Sequence, residues 1–147
     1  MYKFRRVEIS DEDILLDWIN DPVTRRMSIN SSEIKPEDHN IWFSGILNSN
    51  TSAIYIYEKV TKTRINTPVA SMRIDKVNNR NYLSWNVSGK MRKKGIGGKM
   101  LSDFVKEHKG KYFAKIKVNN PASMAICSKS GFCKYYSKGN MTYWRNF

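Results

Sequence analysis

The 147-residue sequence has the length of one domain, and its hydrophobic content of 40% is enough to bury one sizeable core. Charged residues make up 27% and aromatic residues 12%, which argues against disorder, and two cysteines are too few for a disulfide scaffold. Two cysteines and two widely separated histidines also offer no ligand set for a structural zinc ion. We therefore expect one folded domain over residues 1–147, with free thiols and no metal.

Membrane and export signals are not evident in the sequence. There is no run of about 18 apolar residues, and the charged residues 1–6 are not followed by an apolar segment. We therefore expect neither a membrane span nor a signal peptide, and a cytoplasmic location.

The positive charge is concentrated in the second half of the chain. Lysine and arginine number 26 against 13 acidic residues, a net charge of +13. Residues 1–80 carry 12 basic and 11 acidic side chains, whereas residues 81–147 carry 14 basic and 2 acidic ones, a net +12. This excess indicates nucleic acid, an anionic membrane surface or a small polyphosphorylated ligand, unless it only aids solubility. Charge alone does not separate these partners.

The N-terminal third predicts one strand and two helices. Residues 2–7 alternate bulky and charged side chains, as a half-buried strand does. A helix follows an N-cap signal at residues 10–13 and is ended by residues 20–22, because proline cannot continue it. Residues 36–38 open a second helix, which ends at residues 48–50. The predicted buried positions of the two helices are Ile14, Leu15, Trp18 and Ile19, and then Ile41, Trp42, Ile46 and Leu47.

The rest of the chain predicts six strands and two further helices. Residues 53–60, 69–74 and 82–87 read as an antiparallel meander. Residues 95–108 form an amphipathic helix, residues 112–118 a strand, and residues 121–130 a short helix that Gly131 ends. Residues 132–136 and 141–144 form a terminal hairpin. The predicted order is β-α-α-β-β-β-α-β-α-β-β.

Residues 87–99 (VSGKMRKKGIGGK) predict an anion-binding loop between a strand and a helix. Glycines allow backbone N–H groups to approach a phosphate, and the helix N-terminus adds partial positive charge. The spacing matches neither the nucleoside-triphosphate loop nor the dinucleotide fingerprint, and a structural turn fits the bare pattern as well. The cationic side chains expected at its rim are Lys90, Arg92, Lys93 and Lys94.

Two motifs resemble those of the GNAT N-acetyltransferase superfamily. Arg92-x-x-Gly95-x-Gly97 is similar to its coenzyme A pyrophosphate motif, and Asn120-x-x-Ser123 with Gly131-Phe132 is similar to its second motif. The element order also matches along nearly the whole chain. The resemblance implies an α+β, three-layer fold, with a mixed central sheet of six to seven strands, splayed at the cofactor site and flanked by about four helices.

A finer resemblance concerns the branch of the superfamily. Trp18-x-Asn20-Asp21 and Trp42-Phe43 are similar to a branch that includes nucleotide-sugar N-acetyltransferases of bacterial surface-glycan biosynthesis. The resemblance implies acetyl-CoA as cofactor and direct acetyl transfer to a small primary amine, with the amino group of a nucleotide-linked amino sugar as first choice. Protein N-termini, ribosomal proteins and aminoglycosides are the alternative acceptors.

The resemblance also implies where the cofactor binds. The backbone at residues 85–87 would pair with the pantetheine amides, the N–H groups of residues 92–97 would hold the pyrophosphate, and an N–H near Val87 would polarise the thioester carbonyl. Asn120 would bond the cofactor, fix the splay or serve as a turn residue, and Ser123 would reach the diphosphate or cap the helix. The implied cofactor-binding residues are Trp85, Asn86, Val87, Arg92, Lys93, Lys94, Gly95, Ile96, Gly97, Gly98, Asn120 and Ser123.

The sequence departs from the family pattern at two places. Many members carry a tyrosine at the position of Cys127 that protonates the leaving thiolate, and here the thiol is either a proton donor or a core residue, with core filling as the first interpretation. Residues 82–87 contain no carboxylate to act as general base. Either a water relay or one of Asp21, Glu33 and His39 would then take that role, or the amine would be acidic enough to bind in its neutral form. A cofactor-binding member without turnover also stays open.

For the acceptor site we expect aromatic residues that stack and arginines that hold phosphate. Helix packing explains the two tryptophans equally well, and the arginines fall in a polar loop after a proline. A nucleic-acid-binding module using the basic half is the alternative from another class, and the oligomeric state stays open. The candidate acceptor residues are Trp18, Arg25, Arg26, His39 and Trp42.

Overall fold

The computed structural model describes residues 1–28 and 30–147. Within them the chain forms seven strands and five α-helices, with short 3₁₀ turns at Ile9–Asp11 and Gly89–Met91. The elements in chain order are β1 (Tyr2–Arg6), α1 (Glu12–Ile19), α2 (Pro22–Met27), α3 (Pro36–Leu47), β2 (Ser52–Lys59), β3 (Thr67–Val77), β4 (Arg80–Val87), α4 (Ile96–Glu107), β5 (Tyr112–Lys117), α5 (Pro121–Lys129), β6 (Cys133–Lys138) and β7 (Met141–Arg145).

The strands form one mixed sheet in the order β1-β2-β3-β4-β5-β7-β6. Strands β1 to β4 are antiparallel neighbours, β4 and β5 are parallel, and β7 lies antiparallel between β5 and β6. Strand β4 pairs with β3 from Arg80 to Val87, but with β5 only at Asn81 and Tyr82. The two strands separate beyond Tyr82, so the expected splay of a mixed sheet is confirmed.

Helices cover both faces of the sheet, because successive side chains of a strand point to opposite sides. On β2, Ile54 and Ile56 belong to a buried cluster with α1 and α3, whereas Tyr57 belongs to a second cluster with α4. The second cluster also contains Phe104 and Trp144. The three-layer α+β architecture expected from the sequence is thereby confirmed.

Helix α2 was not expected, so five α-helices replace the predicted four within the described residues. Asp21 caps it, since its Oδ1 accepts hydrogen bonds from the backbone N–H groups of Val23 at 3.0 Å and Thr24 at 3.4 Å. Pro22 occupies the first turn, where proline needs no N–H partner. The Asp-Pro pair that ends α1 thus also starts α2, and Arg25 and Arg26 lie in this helix rather than in a loop.

The predicted buried face of α3 is wrong at Ile41, which is 73% exposed. The helix buries His39 and Phe43 together with Ile46, for which the prediction is confirmed. These three positions follow the spacing of four and three residues that keeps side chains on one helical face. Ile41 lies two residues from Phe43, about 200° around the helix, and therefore points to solvent.

The other predicted elements are present, with ends that differ by a few residues; β3 has the largest extension, reaching Thr67–Val77. Gly131 has a φ of +86°, the left-handed conformation that favours glycine after a helix. None of the described helices is long and apolar enough to cross a bilayer. Residues 1–28 and 30–147 also contain no cluster of three or more side chains suited to a metal ion.

Arg5 joins two buried carboxylates at the start of the sheet. Its Nη1 and Nη2 donate to the two carboxylate oxygens of Asp11, both at 2.8 Å, and its Nε lies 3.2 Å from Glu58 Oε2. The hydrogen bond from Arg5 lowers the pKa of Asp11 against the opposing effect of burial. Arg5 therefore ties β1 to β2 and to the entry of α1.

We expect Arg5→Leu to lower the free energy of unfolding at pH 7 by about 2–4 kcal/mol, because both carboxylates stay buried without a counter-charge. Since the folded state depresses the pKa of Asp11, its contribution is present above the ordinary carboxyl pKa near 4 and is lost as the pH falls through the depressed value. The difference from wild type, measured by urea denaturation, should narrow below about pH 4.

Arg6→Leu is the matched control. Arg6 is exposed, and its guanidinium carbon lies over the Tyr55 ring at 5.3 Å, so its loss should cost less than about 1 kcal/mol. Equal losses for the two variants, or a difference that does not change with pH, would contradict the role assigned to Arg5.

Candidate functional site

A cavity of about 780 Å³, the cleft, opens where β4 and β5 separate. It is lined by α2, the end of β4, the loop before α4, the first turns of α4, and α5. Of the predicted cofactor residues only Lys94 does not line it; this residue is exposed. The predicted residues brought together in the cleft are Trp85, Asn86, Val87, Arg92, Lys93, Gly95, Ile96, Gly97, Gly98, Asn120 and Ser123.

The end of β4 presents unpaired backbone groups to the separation between β4 and β5. The backbone N–H of Ser88 donates to Val69 O at 2.9 Å, which makes this a hydrogen-bonded position of the antiparallel pair. Because such positions alternate, Asn86 also bonds toward β3, whereas the N–H and C=O groups of Trp85 and Val87 point away from β3. Strand β5 does not reach these residues, so their backbone groups are open to an extended ligand.

The start of α4 contributes further unpaired N–H groups. Its first backbone hydrogen bond runs from Lys99 N to Gly95 O at 3.1 Å, so the N–H groups of Ile96, Gly97 and Gly98 have no acceptor within the helix. Gly95 caps the helix with a φ of +74°, a conformation that glycine adopts at no steric cost. This end of the cleft is suited to an anion.

Gly97 allows α4 and α5 to approach each other closely. A Cβ atom at this position would lie 2.5 Å from Ile126 Cδ1 and 3.5 Å from Val87 Cγ2. Gly98, which also lines the cleft, has no atom within 4 Å of the position that its Cβ atom would take. The first glycine therefore serves packing, and the second leaves open space beside the helix start.

Arg92 connects the loop to α2. Its Nη2 lies 2.9 Å from Asp21 Oδ1 and donates to Thr24 Oγ1 at 3.0 Å, and Thr24 Oγ1 in turn donates to Asn86 Oδ1 at 3.2 Å. Burial opposes ionisation of Asp21, but its hydrogen bond with Arg92 and the charge of Arg92 lower the pKa of this carboxyl. The guanidinium predicted at the anion rim thus fixes α2 and β4 on one side of the cleft.

Asn120 and Ser123 are hydrogen-bonded to each other at the start of α5. Asn120 caps α5, since its Oδ1 accepts from Ser123 N and its Nδ2 donates to Ser123 Oγ, both at 3.2 Å. Both residues line the cleft. The capping role, one of the alternatives considered for each residue, directs the start of α5 toward the separation of the strands.

Sequence reasoning missed the contribution of α2 to the cleft. Asp21 followed by Pro22 was the available signal, because an N-cap residue before a first-turn proline is typical of a helix start. Side chains of α4 and α5 also line the cleft without a motif that marks them. The missed lining residues are Val23, Thr24, Met27, Ser28, Met91, Lys99, Ser102, Ala122, Ala125, Ile126 and Lys129.

A second cavity of about 180 Å³, the small pocket, lies on the face of the sheet that α1 to α3 cover. Of the predicted acceptor residues, His39 and Trp42 line it. Its boundary shares four residues with the cleft, so the two cavities are neighbours. The shared residues are Thr24, Ser28, Trp85 and Asn86.

The other predicted acceptor residues line neither cavity. Trp18 is buried in the core beneath α1 and α3. Arg25 donates to the carbonyl oxygens of Ile19, Asn30 and Ser32 at 2.8 to 2.9 Å, which holds the chain around α2. Arg26 lies on the same short helix, outside both cavities.

Cys127 is fully buried in the cluster beneath α4 and α5 and does not line the cleft. Its position agrees with core filling, the first interpretation of the sequence. Cys133, in contrast, is exposed.

No protein-family model matches the sequence. No curated protein matches it at a significant level either. Several solved structures, however, match the fold over nearly the whole chain.

A domain from Methanocaldococcus jannaschii superposes with a TM-score of 0.83 at 19% identity, covering 99% of this chain and 97% of that one. The aminoglycoside acetyltransferase AAC(6')-Ib in complex with coenzyme A has a TM-score of 0.82 at 12% identity, covering 99% and 94%. A ribosomal-protein-alanine N-acetyltransferase from Brucella melitensis has a TM-score of 0.76 at 18% identity, covering 97% and 98%. This chain therefore has the GNAT-like fold that these structures share.

Proposed function

We propose that this protein is an acetyl-CoA-dependent N-acetyltransferase that acts on a small primary amine. The observation that carries the proposal is the position of the free backbone groups of Trp85 and Val87 beside the open N–H groups of Ile96, Gly97 and Gly98 in one cleft. An extended amide-containing arm suits the strand edge, and a diphosphate suits the helix start. Coenzyme A carries both groups on one molecule.

The charge of the cleft supports the same cofactor. The side chains of Arg92, Lys93, Lys99 and Lys129 line it, and no carboxylate among the described residues does. Of the three partners that the basic half predicts, a small polyphosphorylated ligand fits a cleft of this size, since such sites usually enclose 300–1,000 Å³. The concave shape disfavours the extended surface that a nucleic acid needs.

The proposed reaction is direct acyl transfer in the separation between β4 and β5. The amine attacks the thioester carbonyl, and the N–H of Val87 donates to the oxygen as negative charge develops. The C–N bond forms, the C–S bond breaks, and the coenzyme leaves as a thiol. A main-chain donor held in the sheet needs no reorganisation during this step.

For the acceptor we propose the amino group of a nucleotide-linked amino sugar. The Trp18-x-Asn20-Asp21 and Trp42-Phe43 segments support this choice, as does the charge of the site. Aminoglycosides are polycations and require carboxylates in their site, whereas no carboxylate among the described residues lines either cavity. A ribosomal-protein N-terminus is the alternative suggested by the name of one structural neighbour.

Gly98→Leu tests the cofactor site without disturbing the packing. Its side chain would enter open space in the cleft, and leucine is a better helix former than glycine, so stability should hold or rise. We expect acetyl-CoA, titrated by calorimetry, to bind wild type at 1:1 and the variant at least about tenfold more weakly, the equivalent of 1.4 kcal/mol.

Gly45→Leu is the matched control, because Gly45 is an exposed glycine inside α3 with no atom near its Cβ position and no part in the cleft. It should bind acetyl-CoA like wild type. Equal affinity in Gly98→Leu would remove the helix start from the proposed site.

A panel of amines tests the reaction itself. With acetyl-CoA present, a nucleotide-linked amino sugar should cause release of free coenzyme A thiol. Kanamycin, or a peptide with an N-terminal alanine, should cause less release. Cofactor binding without thiol release for any acceptor would indicate a binding protein without turnover.

Cys127 is unsuited to protonating the leaving thiolate. Burial raises the pKa of the Cys127 thiol to about 12, and the side chain does not reach the cleft. We expect a disulfide reagent at pH 8 to modify Cys133 rapidly and Cys127 only after denaturant is added, because about one Cys127 thiol in 10⁴ is ionised and none is accessible. Two fast-reacting thiols in the folded protein would contradict this placement.

A further inference from the structure

Three buried side-chain nitrogen atoms without a hydrogen-bond partner meet in the small pocket. Among the described residues, these atoms are Nδ1 and Nε2 of His39 and Nε of Arg73. Both side chains line the small pocket, and His39 is 2% exposed. Buried polar groups are nearly always satisfied in folded proteins, so such a concentration in one cavity points to a ligand that supplies the partners.

The two residues are held close together by Trp42. The His39 ring centroid lies 5.2 Å from the Trp42 ring centroid, and the guanidinium carbon of Arg73 also lies 5.2 Å from a Trp42 ring centroid. The two groups are therefore no farther apart than twice that distance, about 10 Å. Asp75 Oδ2 lies 2.8 Å from Arg73 Nε, but the Nε–H does not form a hydrogen bond with it.

The small pocket is suited to a small fragment. Its volume of about 180 Å³ is below the range of 300–1,000 Å³ typical of drug-sized ligands. Trp85 and Asn86 separate it from the cleft, so a ligand bound there approaches the end of β4 from the face opposite α4 and α5.

Given the proposed function, we propose that the small pocket holds the amine-bearing end of an acceptor that also carries an anionic group within about 10 Å of the amine, with Arg73 donating to the anion and His39 accepting the ammonium proton. The chemistry of the nitrogens supports the pairing, because Arg73 Nε can only donate, whereas a neutral imidazole both donates and accepts. An ammonium group supplies the donor that His39 lacks, and a carboxylate or phosphate accepts hydrogen bonds from the Arg73 guanidinium, which is also ion-paired with Asp75.

The proton balance of the step is complete. One ammonium proton passes to His39 and frees the nitrogen lone pair, which forms the C–N bond with the thioester carbonyl. The second proton leaves the nitrogen as the C–S bond breaks and neutralises the thiolate. His39 then returns its proton to water when the amide departs.

Burial keeps the His39 side chain neutral near pH 7. Burial lowers its pKa, and the negative charges of Glu12 and Asp13 on α1 only partly oppose that shift. Across the pocket, Arg73 on β3 is ion-paired with Asp75, whose Oδ2 lies 2.8 Å from its Nε. Its other ring neighbours, Trp42 and Phe43, are uncharged.

Proton NMR of the wild-type protein tests the site directly, since the chain contains two histidines. The probes are two matched pairs, L-alanine with L-alaninamide and glucosamine 6-phosphate with glucosamine. Each is added to protein saturated with a non-reactive thioether analogue of acetyl-CoA, at a concentration well above the dissociation constant that calorimetry gives for the analogue, so that no turnover occurs. At least one anionic amine should shift the His39 resonances and leave those of His108, which lies beside Phe104 O, in place. The proposal would be overturned if neither anionic amine shifted the His39 resonances more than its neutral partner does.

His39→Gln tests the proton transfer. The kcat/KM of wild type should decline as the pH falls through the pKa of His39, which lies below the ordinary value of 6.5. The kcat/KM of the variant should be lower by about 10²-fold or more. It should instead increase with pH as the fraction of neutral amine increases. A variant with the wild-type pH profile would overturn the role of His39.

Arg73→Gln tests recognition of the anion, with Arg80→Gln as control. We expect KM for the anionic amine to rise about 10- to 100-fold and KM for its neutral partner to change little. Arg80 also stacks on an aromatic ring, that of Phe113 at 4.7 Å, but lines neither cavity, so its variant should behave like wild type. Normal cofactor affinity with no preference for anionic amines would overturn this inference alone, whereas absent cofactor binding would overturn the proposed function.

Discussion

The separation of β4 from β5 beyond Tyr82 is the constraint on which the site depends. A strand buried in a continuous sheet would satisfy the backbone groups of Trp85 and Val87 internally and leave nothing for a ligand. Packing on both faces keeps the strands apart. On one face, Ile126 of α5 sits against Gly97, in a space that a side chain there would occupy. On the other, Arg92 holds α2 against the loop and the end of β4.

The same separation lies between the cavities on the two faces of the sheet, which share lining residues there. The cleft extends along α4 and α5, the small pocket lies under α1 to α3, and Trp85 and Asn86 border both. Side chains of adjacent strand residues point to opposite faces, so one strand end contributes to both cavities. A thioester reaching Val87 from one side and an amine reaching it from the other would meet where the sheet is open. This geometry explains how a reaction between two substrates is compatible with a closed core on each face.

Local signals in the sequence predicted much of this arrangement. Glycines after a basic loop, an amphipathic helix behind them and an Asn-Pro helix start lie close together along the chain, and these features predicted residues that line the cleft. Helix α2 was missed because a proline was read only as a helix end. The partner of Arg92 and the surroundings of His39 depend on residues far apart in sequence, such as Asp21 and Arg73, which no local pattern brings together. Packing of this kind is a property of the assembled fold.

The energetics of His39 argue that the small pocket is more than a packing defect. An unsatisfied buried polar group costs about 1–3 kcal/mol, and the imidazole has two nitrogens without partners. The ring lies near Trp42 and Phe43, where an apolar side chain of similar shape would pack without that cost. Arg73 Nε, which is ion-paired with Asp75 but forms no hydrogen bond with it, is a third such nitrogen in the same cavity. Polar groups without hydrogen-bond partners are stabilised most by a ligand that supplies both a donor and an acceptor. An amine that also carries an anionic group would therefore bind in this pocket better than a polycation.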